Sequence, residues 1–207
     1  MILKADEVAE LLSAPPEKKT DRLLIRPQPD VKHLGASGAA SIDLRLGTWF
    51  VTLYRRRIPL LEIDPTKTGS WNDAKFTRTN FIPFGREYIL HPRSFVLAAT
   101  LEWIRMPTNL AGYVIGRSSW GRRGLIIATA AGVHPGYTGC LTLELTNVGE
   151  IPIAIKPGFT ICQLFLHATG AKSDFVDKSK YIGHRRPTLG RIEPDEIAEK
   201  LGKASHE

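Results

Sequence analysis

Alternation of apolar and polar residues is the main pattern of this chain, and it predicts β-strands. Ile42, Leu44 and Leu46 alternate with Asp43 and Arg45, which is the period of a half-buried strand. Gly, Pro and Asn residues separate further apolar stretches, as turn residues separate short strands. These stretches are 87–90, 95–104, 112–115, 125–130, 140–146, 151–155 and 159–167. The sequence therefore predicts many short strands.

Helices are predicted only at the two ends of the chain. Asp6 is the predicted cap of a short first helix, and the prolines at 15–16 end it. Pro194 and the two acidic residues after it open a final helix, which Lys200 and Gly202 close. Residues 14–38 have the composition of a loop.

A chain of many strands with helices only at its ends predicts a mainly β fold. The expected architecture is a jelly-roll-like β-sandwich or barrel with short terminal helices. No linker or internal repeat argues for a second domain, so residues 1–207 are predicted to form one domain. Within it we expect an N-terminal helix and loop at 1–40, a surface insertion at 56–83, and a C-terminal segment and helix at 170–207.

Composition agrees with a folded cytoplasmic protein. The 207 residues are 43% apolar and 24% charged, which excludes a disordered chain. The sequence offers no apolar run of the roughly 18 residues that a membrane helix needs, and its first residues do not read as a signal peptide. Two cysteines, Cys140 and Cys162, are too few for a disulfide framework. We therefore expect a cytoplasmic location and no membrane partner.

A formal net charge of +7 raises the question of an anionic partner. The basic residues gather locally at 55–57, 117–123 and 178–186, and they do not alternate with aromatic residues as in a single-strand binder. A small ligand that carries phosphate is at least as good an interpretation as nucleic acid.

Several familiar catalytic motifs are absent. The sequence has neither the H-x-E and C-x-x-C pair of zinc deaminases nor the H-E-x-x-H of zinc hydrolases. It also lacks a Walker loop and a Gly-x-Ser-x-Gly nucleophile elbow. No zinc or other protein-bound metal is expected.

Residues 116–124 are the most informative stretch. Two serines, three arginines and three glycines crowd into nine positions between apolar runs. A tight turn or short helix there would aim hydroxyl, guanidinium and backbone N–H groups at one anion. The alternative is a polar surface turn with exposed arginines.

The strand predicted at 140–146 carries a carboxylate. Its leucines face one way, so Cys140, Thr142, Glu144 and Thr146 face the other. Glu144 is either a solvated strand residue or, if its face lines a pocket, a catalyst. Ahead of this strand, the turn at 130–136 is either an ordinary hairpin or a close approach of backbone to a planar base.

Taken in order, several segments match one known family. They are Ser41–Gly47, Gly116–Ser119, Arg122, Thr129–Ala130, Pro135–Gly136, Gly139–Glu144, Lys156–Gly158 and Ser179–Tyr181. The chain resembles, over most of its length, the dCTP deaminase branch of the dUTPase-like superfamily. That resemblance implies deamination of dCTP to dUTP and ammonia without a catalytic metal. It also implies a homotrimer with active sites at subunit interfaces, and Mg²⁺ bound with the triphosphate.

The resemblance assigns roles to residues matched by position. Glu144 takes the general acid/base carboxylate, while Arg122 and Ser118 polarise and orient the base and the attacking water. Arg117 and Ser119 fall on triphosphate contacts. The backbone carbonyl of Ala130 would accept from the cytosine amino group, and Lys180 would close over the phosphates with the segment 170–207. Further predicted substrate-contacting residues are Trp120, Gly121, His134, Thr142, Leu143 and His184.

The chain departs from the family pattern at two substrate-contacting positions. His134 replaces an Asp that contacts the sugar and whose dUTPase counterpart positions water, and His184 replaces a Gln. The connection from Arg122 to Ala130 is also one residue shorter. His134 disfavours dUTP hydrolysis. The alternatives are a dUTP diphosphatase, a bifunctional enzyme that releases dUMP and pyrophosphate, and a catalytically weak nucleotide-binding regulatory homologue. Nucleic-acid binding ranks last.

Overall fold

A computed structural model of the chain describes residues 1–15, 21–54, 75–128, 132–170, 183–190 and 195–204. Within these ranges the helices are α1 (Ala5–Ser13), α2 (Val31–Ala36), α3 (Ser118–Gly121) and α4 (Glu196–Ala204). The strands are β1 (Leu24–Arg26), β2 (Ile42–Leu53), β3 (Thr77–Phe81), β4 (Tyr88–Leu90), β5 (Phe95–Arg105), β6 (Leu110–Gly116), β7 (Leu125–Ile127), β8 (Gly132–Val133), β9 (Thr138–Asn147), β10 (Ile153–Ile155) and β11 (Thr160–Ala168).

Nine of the described strands form one antiparallel sheet. Its main order is β7-β9-β5-β2-β11-β6-β8, with β1 beside β5 and β3 beside β2. The pair β10 and β4 forms a separate small sheet. Side chains from most of the large sheet's strands and from α1 and α2 meet in one core cluster, so the sheet curls around a single core. The prediction of a mainly β fold is confirmed.

Alternation in the sequence becomes two faces of the sheet. Ile42, Leu44 and Leu46 are at most 1% exposed, whereas Asp43 and Arg45 between them are exposed. On β9, Leu143 and Leu145 are fully buried. One side of each strand therefore faces the core, and the other side, here called the outer face, is open to further contacts.

Irregularities in the two longest strands shape the outer face. The pairing of β2 with β5 shifts between Leu46 and Phe50, and that of β5 with β9 shifts between Ala99 and Trp103. Gly47 lies at this irregularity, where an added Cβ would come 2.9 Å from the carbonyl oxygen of Ala99. Only glycine permits the two backbones to approach so closely.

The first helix begins earlier than the sequence predicted. Lys4 is the N-cap residue, and its backbone N–H donates to Oε2 of Glu7 at 2.7 Å. Asp6 therefore lies in the first turn, and the prediction that it caps the helix is wrong. The carboxylate three residues along the chain satisfies the cap amide instead.

The prediction of a loop at 14–38 is also wrong. Strand β1 pairs with β5, and Asp30 caps α2 by accepting from the backbone of Lys32 and His33 at 3.0 and 3.1 Å. The segment 1–40 thus holds a strand and a second helix besides α1. A three-residue strand is too short to show alternation, and its partner strand supplies its hydrogen bonds.

Two further boundaries differ from prediction. The insertion predicted at 56–83 contains β3, a polar strand that pairs with β2 and places Phe81 opposite Trp49. Residues 56–74 lie outside the described ranges.

Helix α4 continues past Gly202, so that glycine does not close it. Its first turn is capped by Asp195, whose Oδ1 accepts from the amides of Ile197 and Ala198. Pro194 lies outside the described residues.

No helix in the described part of the chain is long and apolar enough to cross a membrane.

Candidate active site

Glu144 lies on the outer face of β9, as the leucine alternation predicted. Its side chain is half-buried, and its register partner is Leu97 of β5, which in turn faces Val51 of β2. Leu97 and Val51 are 4% and 7% exposed. The carboxylate therefore lies in a row of the sheet whose members on β5 and β2 are apolar side chains.

Two predicted contact residues precede Glu144 on β9, and their side chains lie on opposite faces of the sheet. Thr142 is half-buried on the same outer face, two positions from Glu144. Leu143 points the other way and is fully buried in the core. Strand residues alternate between faces, so a substrate on the outer face could meet Leu143 only through its backbone.

Residues 118–121 form the short helix α3, which is fixed to β11. The backbone N–H of Arg117 donates to the carbonyl of Ile161 at 3.3 Å, and the indole Nε1 of Trp120 donates to the carbonyl of Thr160 at 2.9 Å. The Trp120 ring also packs against the core cluster. Trp120 thus has an anchoring role, and its only N–H donor is already engaged.

Arg117 is held by a second strand. Its Nη1 lies 2.5 Å from Oδ2 of Asp43 on β2, and Oδ1 of Asp43 accepts from Nε2 of Gln163 on β11 at 3.2 Å. Asp43 and Gln163 are direct register partners. The guanidinium predicted to bind phosphate is therefore oriented by side chains from two adjacent strands.

The remaining polar residues of 116–124 are accessible. Ser118, Ser119 and Arg122 are exposed, and Gly121 is half-buried. Arg123 turns back onto the helix, where its Nη1 donates to the carbonyl of Ser119 at 2.7 Å. Of the two consecutive arginines, Arg123 is thus occupied locally.

The two histidines that depart from the family pattern both lie near the start of β9. His134 is exposed in the turn before this strand, and its carbonyl accepts from the backbone N–H of Tyr137 at 3.2 Å. His184 lies beside the strand, where its carbonyl accepts from the amide of Cys140 at 2.8 Å. An added Cβ on Gly139 would come 3.0 Å from that carbonyl oxygen, so the approach requires glycine.

Two predicted site residues, Ala130 and Lys180, lie outside the described residues. The structure places Thr142 and Glu144 together on the outer face of β9, and Arg117 to Arg122 together around α3. These are two separate groups on the chain. Strand β7 follows α3 in the sequence and pairs with β9. The amide of Ala128, just after β7, donates to the carbonyl of Glu144 at 2.9 Å.

A cavity of about 620 Å³ opens on the outer face where β2 and β5 diverge. Its lining includes Trp49, Trp103, Cys140 and Arg185, and the guanidinium of Arg186 lies 3.9 Å from the centre of the Trp49 ring. None of the predicted site residues lines the cavity in the described part of the chain. Its wall nevertheless begins close to Glu144, because Ala99, which also lines it, is the register partner of Thr142.

A buried carboxylate on β5 was not among the predicted site residues. Glu102 is 1% exposed, and it accepts from the backbone N–H of Arg45 at 2.8 Å and from its Nη1 at 3.2 Å. Burial raises the pKa of Glu102, and the hydrogen bonds and charge of Arg45 partly oppose that rise. A glutamate inside the apolar run 95–104 was a visible signal of a buried, paired carboxylate.

No three His, Cys, Asp or Glu side chains come together as a metal site among the residues with described positions.

The class of fold is shared with a solved structure. The chain is similar to the crystal structure of 2'-deoxycytidine 5'-triphosphate deaminase from Agrobacterium tumefaciens, with a TM-score of 0.56 and 20% sequence identity. The match covers 80% of this chain and 46% of that chain. At this identity the likeness concerns the fold, and it agrees with the predicted dUTPase-like class.

The family follows from the sequence itself. The profile of dCTP deaminase-like proteins matches residues 2–169, and the chain belongs to that family. It is 38% identical over 192 residues to a dCTP deaminase from Halorubrum lacusprofundi, covering 89% of this chain and 92% of the relative. It is 40% identical over 158 residues to a "dCTP deaminase, dUMP-forming" from Acidothermus cellulolyticus, covering 73% and 80%.

Proposed function

We propose that this protein catalyses the hydrolytic deamination of dCTP to dUTP and ammonia. The observation that carries the proposal is the position of Glu144 on the half-buried outer face of β9, in a chain whose residues 2–169 match the dCTP deaminase-like family. A carboxylate at that place is half-buried and accessible from the outer face, as an acid/base catalyst must be.

The proposed reaction requires two proton transfers. Water attacks C4 of the cytosine ring, and Glu144 takes the proton that the water loses. The tetrahedral intermediate then collapses, the C4–N bond breaks, and Glu144 returns a proton to the departing amine, which leaves as ammonia. One carboxylate suffices for both transfers if its proton affinity lies near that of the reacting groups.

Arginine and serine side chains around α3 supply the remaining functions in this proposal. By their match to the family pattern, Arg122 and Ser118 polarise the base and orient the water, while Arg117 and Ser119 bind the triphosphate with its Mg²⁺. Ser118, Ser119 and Arg122 are exposed, which leaves them accessible to a ligand.

A homotrimer with interfacial sites is part of the proposal. The outer face carries large exposed apolar side chains at Phe81, Phe95 and Ile126, which are 54%, 42% and 39% exposed. Phe81 packs on Trp49 with ring centres 5.0 Å apart. Such a patch favours association with another protein surface, and a second copy that covered it would bring its own side chains close to the row that contains Glu144.

A bifunctional enzyme that releases dUMP and pyrophosphate is the second candidate. Relatives bearing the name "dCTP deaminase, dUMP-forming" are 33% and 40% identical to this chain, the same range as those named "dCTP deaminase". His134 argues against it, because a neutral imidazole is a poorer acceptor for an attacking water than the Asp of the family pattern.

The deciding experiment is incubation of the purified protein with dCTP and, separately, with dUTP. Ammonia, uracil nucleotides and pyrophosphate are measured in both reactions, with dCMP as a control for triphosphate dependence. The proposal expects ammonia and dUTP from dCTP, and no pyrophosphate from dUTP. Pyrophosphate from either substrate would favour the bifunctional enzyme, and the absence of ammonia would contradict deamination altogether.

A further inference from the structure

Three side chains from separate elements meet beside the serines of α3. Arg117 precedes α3, Asp43 lies on β2, and Gln163 lies on β11. Asp43 joins the other two through its two carboxylate oxygens, at 2.5 Å to Arg117 and 3.2 Å to Gln163. Each carboxylate oxygen of Asp43 therefore accepts from one donor, and the contacts run from Gln163 through Asp43 to Arg117.

We propose that Asp43 is a positioning residue that holds the Arg117 guanidinium in the orientation that receives the substrate's triphosphate. This inference rests on the proposed function, in which Arg117 binds phosphate. A guanidinium carries five N–H donors in a rigid plane. Asp43 engages Nη1 and fixes that plane, which leaves the donors of Nε and Nη2 for an anion.

Stability does not explain the arrangement. The side chains of Arg117 and Asp43 are 36% and 45% exposed, and ion pairs with that exposure contribute little to folding. Gln163 on the neighbouring strand nevertheless orients Asp43 further. A freely rotating guanidinium loses conformational entropy when it binds a ligand. Holding Arg117 in place beforehand reduces that loss, and this explains an exposed ion pair that has its own supporting hydrogen bond.

The positioning role and simple electrostatics predict opposite changes in triphosphate affinity when Asp43 is removed. Asp43 carries a negative charge close to the site of a highly negative ligand. If only the local field mattered, removing that charge would strengthen triphosphate binding. If Asp43 positions Arg117, removing it weakens binding despite the more favourable field.

The test is a double-mutant cycle on Asp43 and Arg117, read as the KM and kcat for dCTP and as the Kd for dCTP from calorimetry. We expect Asp43→Ala to raise KM and Kd about tenfold with kcat within about threefold, since it acts through uniform binding. Asp43→Asn keeps an acceptor oxygen and should lose less. In the Arg117→Ala background, Asp43→Ala should cause no further loss, because its effect requires the arginine.

Glu87→Ala is the matched control. Glu87 pairs with Lys156 at 3.6 Å, with side-chain exposures of 47% and 43%, beside the small sheet that carries none of the predicted site residues. We expect this variant to match the parent in KM and Kd. An unchanged or tighter Kd in Asp43→Ala, or an equal loss in both backgrounds, would overturn the positioning role.

The same measurements separate this inference from the proposed function. A parent protein that binds dCTP and follows the expected cycle, yet releases no ammonia, would remove the function and keep the positioning role. A parent protein that releases ammonia while Asp43→Ala leaves Kd unchanged would do the reverse.

Discussion

Glu102 and Glu144 lie on neighbouring strands of one sheet, yet their surroundings differ in kind. Glu102 on β5 is 1% exposed and accepts two hydrogen bonds from Arg45. Glu144 on β9 is half-buried on the outer face, in register with Leu97. One carboxylate is buried and paired with an arginine whose side chain is 44% exposed, whereas the other is turned toward a surface that a ligand or another subunit can reach.

The comparison shows that a raised pKa does not by itself identify a catalyst. Burial raises the pKa of Glu102, and perturbed carboxylates are common in active sites. Structural ion pairs perturb pKa values as well, and Glu102 is paired with Arg45 and only 1% exposed. Access and neighbouring groups therefore decide which carboxylate has a role in chemistry and which has a role in folding.

The largest expected effect is on catalysis by Glu144→Gln. The amide cannot take or return a proton, so deamination of dCTP should fall by about 10²–10⁴-fold, the usual range for a general acid/base. The free energy of unfolding should stay within about 0.5 kcal/mol of the parent, because the side chain is half-buried and nearly isosteric. Steady-state ammonia release and urea unfolding check both parts. A variant with more than a few per cent of the parent activity would show that another group is the catalyst.

The second prediction concerns the partner of Glu102. Arg45→Ala removes the guanidinium from the buried carboxylate but keeps the backbone N–H donor, and it should lower the free energy of unfolding at neutral pH by about 2 kcal/mol. Glu102→Gln removes the charge with little change in volume and should cost less than about 1.5 kcal/mol. Urea unfolding measures both.

Asp43→Ala on the same strand is the control, because its exposed ion pair should contribute less than about 1 kcal/mol. The buried pair would lose its structural role if Arg45→Ala and Asp43→Ala proved equally stable.

The sequence predicted the elements whose alternation reports a buried face. Residues 42–46 of β2 and 141–146 of β9 alternate with a period of two, so the existence of both strands and the direction of Glu144 could be predicted. Strands β1 and β3 could not, because one is three residues long and the other is polar. Each forms through hydrogen bonds to a longer strand, and propensity along the chain does not reveal such a partner.

The part of the site that consists of residues close together in the sequence could be predicted. The serines and arginines of 116–124 are consecutive, so their proximity needed no tertiary information. The contact between Arg117 and Asp43 joins residues 74 positions apart, and the Arg45–Glu102 contact joins residues 57 apart. Only the pairing of the strands brings these groups together, and the sequence offered the residue types without their partners.

The third prediction tests the cation proposed to act with Glu144. Arg122→Ala should lower kcat for dCTP by about 10–100-fold with a smaller change in KM, since a group that polarises the base acts mainly in the transition state. Unfolding should be unaffected because Arg122 is exposed. Arg123→Ala is the control, because that guanidinium already donates to the carbonyl of Ser119. Equal losses of kcat in the two variants would remove the special role of Arg122.

The smallest expected effect is a pH dependence of stability that belongs to Glu102. Its pKa in the folded state is raised above the ordinary value of 4.5, so the folded protein binds this proton more tightly than the unfolded chain does. The stabilisation is fully present below about pH 4.5 and is lost as the pH rises through the folded-state pKa, by about 1.4 kcal/mol for each unit between the two values. The parent should therefore lose stability relative to Glu102→Gln as the pH increases from 4 toward 8.

The nearby thiols do not interfere, because burial raises the pKa of Cys140 to about 11 and that of Cys162 to about 12. Urea unfolding of both proteins at matched pH values measures the difference. A difference that stayed constant, or that grew in favour of the parent at higher pH, would mean that pairing with Arg45 outweighs burial.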